Sequence, residues 1–156
     1  MKRFSFGLLF VLIALNCQAV LPDVVLRDID GHAVNIAELA QTGKPVILSF
    51  FATWCKPCIQ ELKAIDELYA DWQDESGVEM YIVSIDQGQD SHKVKPLVDG
   101  NSWDYHVLLD PNGTLKREMN VQNIPHVFVL NSKGEIVYTH TGYIDGDETE
   151  IRTYLR

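Results

Sequence analysis

The chain has 156 residues, 46% of them hydrophobic and 22% charged, with 10 Gly and 6 Pro, a composition that fits one ordinary globular domain and excludes a disordered, collagen-like or repeat architecture. Three cysteines are far too few for a disulfide-stapled miniprotein, so cysteine is expected to serve local chemistry while packing holds the fold. The formal net charge of −9 comes without a Lys/Arg cluster, which disfavours nucleic-acid binding, because that function needs clustered cations to neutralise phosphates.

At the N-terminus, Lys2 and Arg3 precede an apolar run from Phe4 to Leu15, followed by small and polar residues up to Ala19. This layout reads as a secretory signal peptide over residues 1–19, cleaved after Ala19, with residues 20–156 forming one domain. The run is shorter than the roughly 20 apolar residues that span a bilayer. An uncleaved anchor is the alternative. Lipid attachment at Cys17 is another, although Leu15 and Asn16 poorly resemble the small residues that precede a lipidated cysteine. Cleavage would leave 11 basic against 22 acidic side chains, a net charge of −11, which favours solubility.

Along the remaining chain no linker, charge block or repeat marks a boundary. Leu21 to Arg27 is an extended stretch and Asp30-Gly31 a turn. Asn35 with Glu38 three residues later is a capping pattern that opens a short helix, broken at Gly43-Lys44-Pro45. Val46 to Phe51 (VILSFF) is the nearly continuous apolar run of a central strand covered on both faces. Ile59, Leu62, Ile65, Leu68, Tyr69 and Trp72 then recur at steps of three and four, which predicts a helix over Lys56–Asp74 closed by Gly77. Met80 to Ile85 is a second buried strand, Ser91 to Val98 a helix, and Tyr105 to Leu109 a strand. Asp110 to Gly113 is a turn and Leu115 to Met119 a brief helix. His126–Leu130 and Glu135–Thr139 flank Asn131-Ser132-Lys133-Gly134 as a hairpin, and a last helix covers Glu148–Leu155. Helices alternating with buried strands, followed by a hairpin, predict an α/β fold with a mixed, helix-covered sheet.

The chemistry is concentrated in Trp54-Cys55-Lys56-Pro57-Cys58. Two cysteines at this spacing suit a zinc half-site, a haem attachment or a redox dithiol. A structural zinc site needs four ligands, and past residue 19 the chain has no further Cys and no closely spaced His pair, so no metal is expected. Haem attachment wants His after the second Cys, where Ile59 stands. A dithiol fits. The VILSFF strand ends just before the pair and the helix begins at it, so Cys55 should sit at the helix N-terminus, where unpaired N–H groups and the macrodipole favour a thiolate. Pro57 suits the first helical turn, having no N–H to leave unbonded. Cys58, one turn along, should be less exposed and less acidic, which makes Cys55 the attacking thiol and Cys58 the resolving one. Lys56 between them would assist by charge to a small degree. Trp54 is either a substrate-facing lid or a packing residue.

Trp-Cys-Lys-Pro-Cys after VILSFFAT, with Asn-Ile-Pro-His downstream before a strand, resembles the thioredoxin superfamily, and more narrowly its exported TlpA/ResA-like thiol–disulfide oxidoreductases. The resemblance includes Leu21-Pro22-Asp23, the Asp30-Gly31 hairpin and the Gly43-Lys44-Pro45 lead-in. It implies a thioredoxin-like fold with an N-terminal extension and a central insertion before Ile124-Pro125. It further implies that Pro125 is the superfamily's cis-proline and that Ile124 offers its backbone to an extended substrate. Glu61 lies one turn beyond Cys58 and matches the glutamate of Cys-x-x-Cys-x-x-Glu in these proteins. Buried there, it would have a raised pKa and exchange protons with the thiols; a solvated helix Glu is the alternative. Three positions depart from the family pattern. Ser49 stands where thioredoxins bury an Asp, Lys63 replaces a proline, and His126 follows Pro125 where Thr is common, as a strand residue or as a titrating group near the site.

The expected activity is thiol–disulfide exchange without a dissociable cofactor, and the resemblance favours reduction of exported proteins. It implies disulfide-containing substrates such as cytochrome maturation apoproteins, recharging by a membrane thiol–disulfide donor, and an exported, periplasmic or extracytoplasmic location. Two rivals remain open. A thiol peroxidase would use Thr-x-x-Cys, but Ala52 stands three residues before Cys55. A non-catalytic binding module would keep Cys55–Cys58 as a structural bridge.

Overall fold

The computed structural model describes residues 21–155; the expected signal peptide, its cleavage site and Cys17 lie outside them. In chain order the strands are Val25–Asp28 (β1), Ala33–Asn35 (β2), Val46–Phe51 (β3), Glu79–Ser84 (β4), His106–Leu109 (β5), His126–Leu130 (β6) and Ile136–Thr141 (β7). The helices are Ile36–Leu39 (α1), Lys56–Ser76 (α2), Val94–Asn101 (α3), Thr114–Glu118 (α4) and Glu148–Ile151 (α5). All seven strands form one sheet in the order β2-β1-β5-β4-β3-β6-β7. β3, β4 and β5 run parallel, while β1, β2, β6 and β7 each pair antiparallel to their neighbours. This is the mixed, helix-covered sheet that the sequence predicts.

β3 lies inside the sheet, and all six of its residues are buried, which is why its sequence is almost wholly apolar. Side chains alternate across it. Ile47 and Phe51 pack with Leu62, Ile65 and Trp72 of α2, whereas Leu48 and Phe50 pack with Ile36 of α1 and Leu115 of α4. The period-two alternation of a strand thus divides the interior into two layers. Ser49, between Ile47 and Phe51, faces α2 by the same alternation.

Several boundaries differ from the sequence expectation. Ala33–Asn35 forms a strand paired with β1 through Leu26 and Val34; three residues are too few for periodicity to register. The helix expected over residues 91–98 starts as a 3-10 segment, Gly88–Lys93, and becomes α-helical only from Val94 to Asn101. Pro96 explains the shift: it donates no N–H, so an α-helix containing it without a lost bond must place it in the first turn. The C-terminal helix is α-helical for one turn and continues as the 3-10 segment Arg152–Tyr154. Gly77 ends α2 in the left-handed conformation at φ 70°, as its position predicts.

The β6–β7 turn rests on the C-terminal end of α1. Gly134 has φ +77°, and a Cβ there would lie 2.2 Å from the Ala40 carbonyl oxygen. Gly134→Ala is therefore expected to destabilise the protein by about 3 kcal/mol, from left-handed strain plus overpacking. Urea denaturation measures it, and an unchanged midpoint would contradict this close approach.

Candidate active site

The site begins where β3 ends. Beyond Phe51 the chain makes a turn in which the Cys55 N–H donates to the Ala52 carbonyl (3.0 Å), and Cys55 is the N-cap of α2. Its Sγ accepts the Cys58 N–H at 3.3 Å, a bond that an N-cap side chain ordinarily makes to the first-turn amides. Pro57 lies in the first turn, where it leaves no donor unmet. Cys55 and Cys58 are joined by a disulfide. Cys55 keeps 6% of its surface exposed and Cys58 none, so of the pair only the first residue reaches the surface. Lys56 and Pro57 are exposed.

Glu61, one turn beyond Cys58, is 2% exposed. Its Oε2 accepts from Ser49 Oγ at 3.3 Å. Burial pushes its pKa up to about 8; the Ser49 bond opposes this, and the nearby charges of Asp147 and Glu148 add to it. Desolvation outweighs a single neutral hydrogen bond because an ionised carboxylate loses much more than one water contact on burial. The departure at Ser49 thus has a geometric meaning: where thioredoxins carry an acid, this chain carries a hydroxyl that holds the acid of α2.

The Ile124–Pro125 peptide bond is cis. The β3–β6 register pairs Phe50 with His126, which brings Pro125 to the end of β3, where the chain turns toward Cys55. The Pro125 carbonyl accepts the Gly142 N–H at 2.8 Å, so the segment after β7 lies beside it. That segment is tied down by its own carboxylates. Asp147 Oδ2 accepts the Ile144 N–H (2.8 Å) and contacts His140 Nε2 (3.2 Å), while Glu148 Oε2 accepts from the Tyr143 hydroxyl and the Gly146 N–H, both at 3.0 Å. Ile144 is 76% exposed, and Trp54, beside Cys55, is 64% exposed. Trp54 is therefore a surface residue, not a core-packing one. Ile124 is half-buried between the two apolar layers.

His126 belongs to the sheet and not to the dithiol. Its Nδ1 contacts Thr141 Oγ1 at 2.7 Å and its Nε2 contacts Thr139 Oγ1 at 3.1 Å. Burial, with His140 nearby, lowers its pKa. By strand alternation it faces the Phe50 and Phe128 side, opposite α2. Sequence reasoning passed over the acidic Tyr143–Glu148 segment, and also Asp86. Asp86 is 1% exposed just past β4. Its Oδ2 accepts the Thr53 N–H (2.9 Å) and the Ser84 hydroxyl (2.8 Å), and its Oδ1 accepts the Thr53 hydroxyl (2.7 Å). Its signal in the sequence was an acid directly after a buried strand, at the same sheet end as Cys55.

A mixed sheet with a Cys-x-x-Cys disulfide capping a long helix, and a cis-proline leading into the strand beside β3, defines a thioredoxin-like protein. The family described as AhpC/TSA matches residues 17–139, and the chain belongs to that family. It is 32% identical over 135 residues to the thioredoxin-like protein YneN of Bacillus subtilis, covering 86% of this chain and 76% of the relative. The thiol-disulfide oxidoreductase ResA of Geobacillus kaustophilus is 30% identical over 129 residues, covering 83% of this chain and 71% of that one. Among solved structures, a thioredoxin-like protein from Porphyromonas gingivalis is 57% identical with a TM-score of 0.76, over 86% of this chain and 91% of the other.

Proposed function

We propose that the protein is a thiol–disulfide oxidoreductase that reduces disulfides of exported proteins through Cys55 and Cys58. The observation that carries this reading is the Cys55 sulfur at the N-cap of α2, accepting a first-turn amide. In the reduced protein the same N–H groups and helix dipole stabilise a thiolate there. That thiolate attacks a partner disulfide, forming a mixed disulfide and releasing one partner thiolate. The Cys58 sulfur then attacks Cys55 Sγ, the second partner thiolate leaves, and two electrons have passed from the dithiol to the partner. Cys58 must lose its proton to attack. Glu61 is the acceptor, since a group with a pKa of about 8 passes protons in either direction near neutrality. The exposed Trp54 and the backbone of Ile124 beside Pro125 form the surface on which an extended partner segment lies, and Lys56 adds a minor, solvent-screened attraction for the thiolate.

The chain is read as exported: residues 1–19 serve as a signal peptide and residues 20–156 form the domain. Among the described residues no helix is long and apolar enough to cross a membrane. Attachment, where it occurs, would come from an uncleaved signal or from lipid on Cys17. Partners are disulfide-bearing exported proteins, apocytochromes included, and a membrane thiol–disulfide donor returns the enzyme to its dithiol state.

Equilibration with a glutathione redox buffer tests the reading. The Cys55–Cys58 couple is expected above about −300 mV, and the reduced protein is expected to reduce a protein disulfide stoichiometrically while consuming no peroxide. A couple well below that value that exchanges over hours would mark a structural bridge instead, and peroxide turnover dependent on Cys55 would mark a peroxidase.

A further inference from the structure

The strand ends β3 and β4 run on together past the sheet. The Ile85 N–H donates to the Phe51 carbonyl at 2.9 Å, so the residue after Ile85 lies beside the turn that leads into Cys55. That residue is Asp86, and both of its oxygens are engaged by Thr53, through one backbone and one hydroxyl bond, with Ser84 adding a third. Two residues span at most about 7 Å of backbone, so Thr53, and the carboxylate bonded to it, are close to the attacking sulfur. All three donors are neutral. Among the described residues no cation is hydrogen-bonded to Asp86; Lys93, which feels the field of Asp86, is bonded to Asp90 at 2.6 Å.

We infer that Asp86 is a positioning residue for the dithiol: it holds the Thr53 turn that presents Cys55, and its buried negative charge opposes the thiolate and biases the couple toward the disulfide. The inference deepens the oxidoreductase reading and rests on it. A buried carboxylate with neutral partners keeps its field, because solvent screens it little. The α2 N-terminus favours the Cys55 thiolate, and Asp86 acts against it. The other titratable groups around the pair are Lys56, which is exposed, Glu61 behind Cys58 on α2, and Asp147 and Glu148 near Glu61. A weaker thiolate makes the reduced form less favoured and the protein a stronger reductant, by the same relation through which a stabilised reduced form makes a strong oxidant.

The experiment equilibrates wild type and variants with a glutathione buffer and follows Cys55 alkylation rate against pH. Asp86→Asn keeps the shape and removes the charge. It is expected to shift the equilibrium about tenfold toward the dithiol, about 30 mV, with the thiolate forming at lower pH. Thr53→Val keeps the backbone bond and the charge, and leaves the equilibrium within about twofold of wild type. Ser84→Ala likewise removes one neutral donor and keeps the charge, and it also leaves the equilibrium within about twofold of wild type. Asp86→Ser, smaller and uncharged, is expected to shift the equilibrium the same way as Asp86→Asn, and it keeps the test open should Asp86→Asn fail to fold. An Asp86→Asn or Asp86→Ser equilibrium within about twofold of wild type, or a Thr53→Val or Ser84→Ala shift as large as that of Asp86→Asn, overturns the inference. If wild type itself does not equilibrate with glutathione, the oxidoreductase reading falls, and that outcome is distinct from all of these.

Discussion

Cys58→Ser is expected to accumulate partner proteins covalently held on Cys55, released by dithiothreitol, while Cys55→Ser traps none and loses at least about a thousandfold in exchange rate. The reason is the asymmetry of the pair. Of the two, only Cys55 retains exposed surface, whereas Cys58 is fully buried and therefore meets Cys55 Sγ but no outside disulfide. Removing Cys58 leaves the first displacement intact and deletes the second, so the mixed disulfide persists until an external thiol reaches it. Non-reducing electrophoresis of extracts, followed by identification of the trapped chains, reads the result. Equal trapping by Cys55→Ser, or no adduct from a Cys58→Ser protein whose Cys55 alkylates normally, would reverse or remove these roles.

Glu61 is expected to make the folded protein less stable as pH rises. Its pKa is about 8 in the fold against the ordinary 4.5 of a solvated glutamate. Between those values the native state holds a proton that the unfolded chain has released, so unfolding releases a proton and stability declines with pH. The contribution is complete below about pH 4.5 and is lost by the time the pH passes about 8, with an upper bound on the order of 5 kcal/mol at about 1.4 kcal/mol per pKa unit. Glu61→Gln, which does not ionise, flattens that slope. His126, its pKa lowered by burial and by His140, contributes the opposite slope at and below about pH 6.5. Subtracting the variant's curve from that of wild type cancels it. Urea titrations of the oxidised proteins at pH 5, 7 and 8.5 provide the comparison, and parallel curves would mean that the carboxyl ionises in the fold as it does in water. The same substitution is expected to slow displacement by Cys58 about a hundredfold near neutral pH. That deficit shrinks at higher pH, where the thiol ionises without help.

Local chemistry is what could be read early. Cys55, Cys58 and Pro57 lie within four consecutive positions, and the step of three and four that marks α2 also puts Glu61 one turn beyond Cys58. VILSFF and MYIVSI announce buried strands because a strand covered on both faces has no polar side to show. Pro125 and the role of Ile124 came from family resemblance alone, since most X–Pro bonds are trans and no residue pattern demands otherwise. β2 is invisible to periodicity because three residues carry no period, and α3 starts later than the apolar spacing predicts because Pro96 must lie in its first turn.

What the sequence determined by itself is the dithiol, the helix that carries it and the alternation of elements, because each depends on residues within a turn or a strand of one another. What only the tertiary structure decided is the environment of the sulfurs. The Ser49–Glu61 bond joins β3 to α2, Asp86 reaches Thr53 across 33 positions of sequence, and the Tyr143–Glu148 carboxylates arrive from beyond β7. Desolvation and field depend on distance through space, and the order of strands in the sheet, which sets those distances, is written in no local pattern.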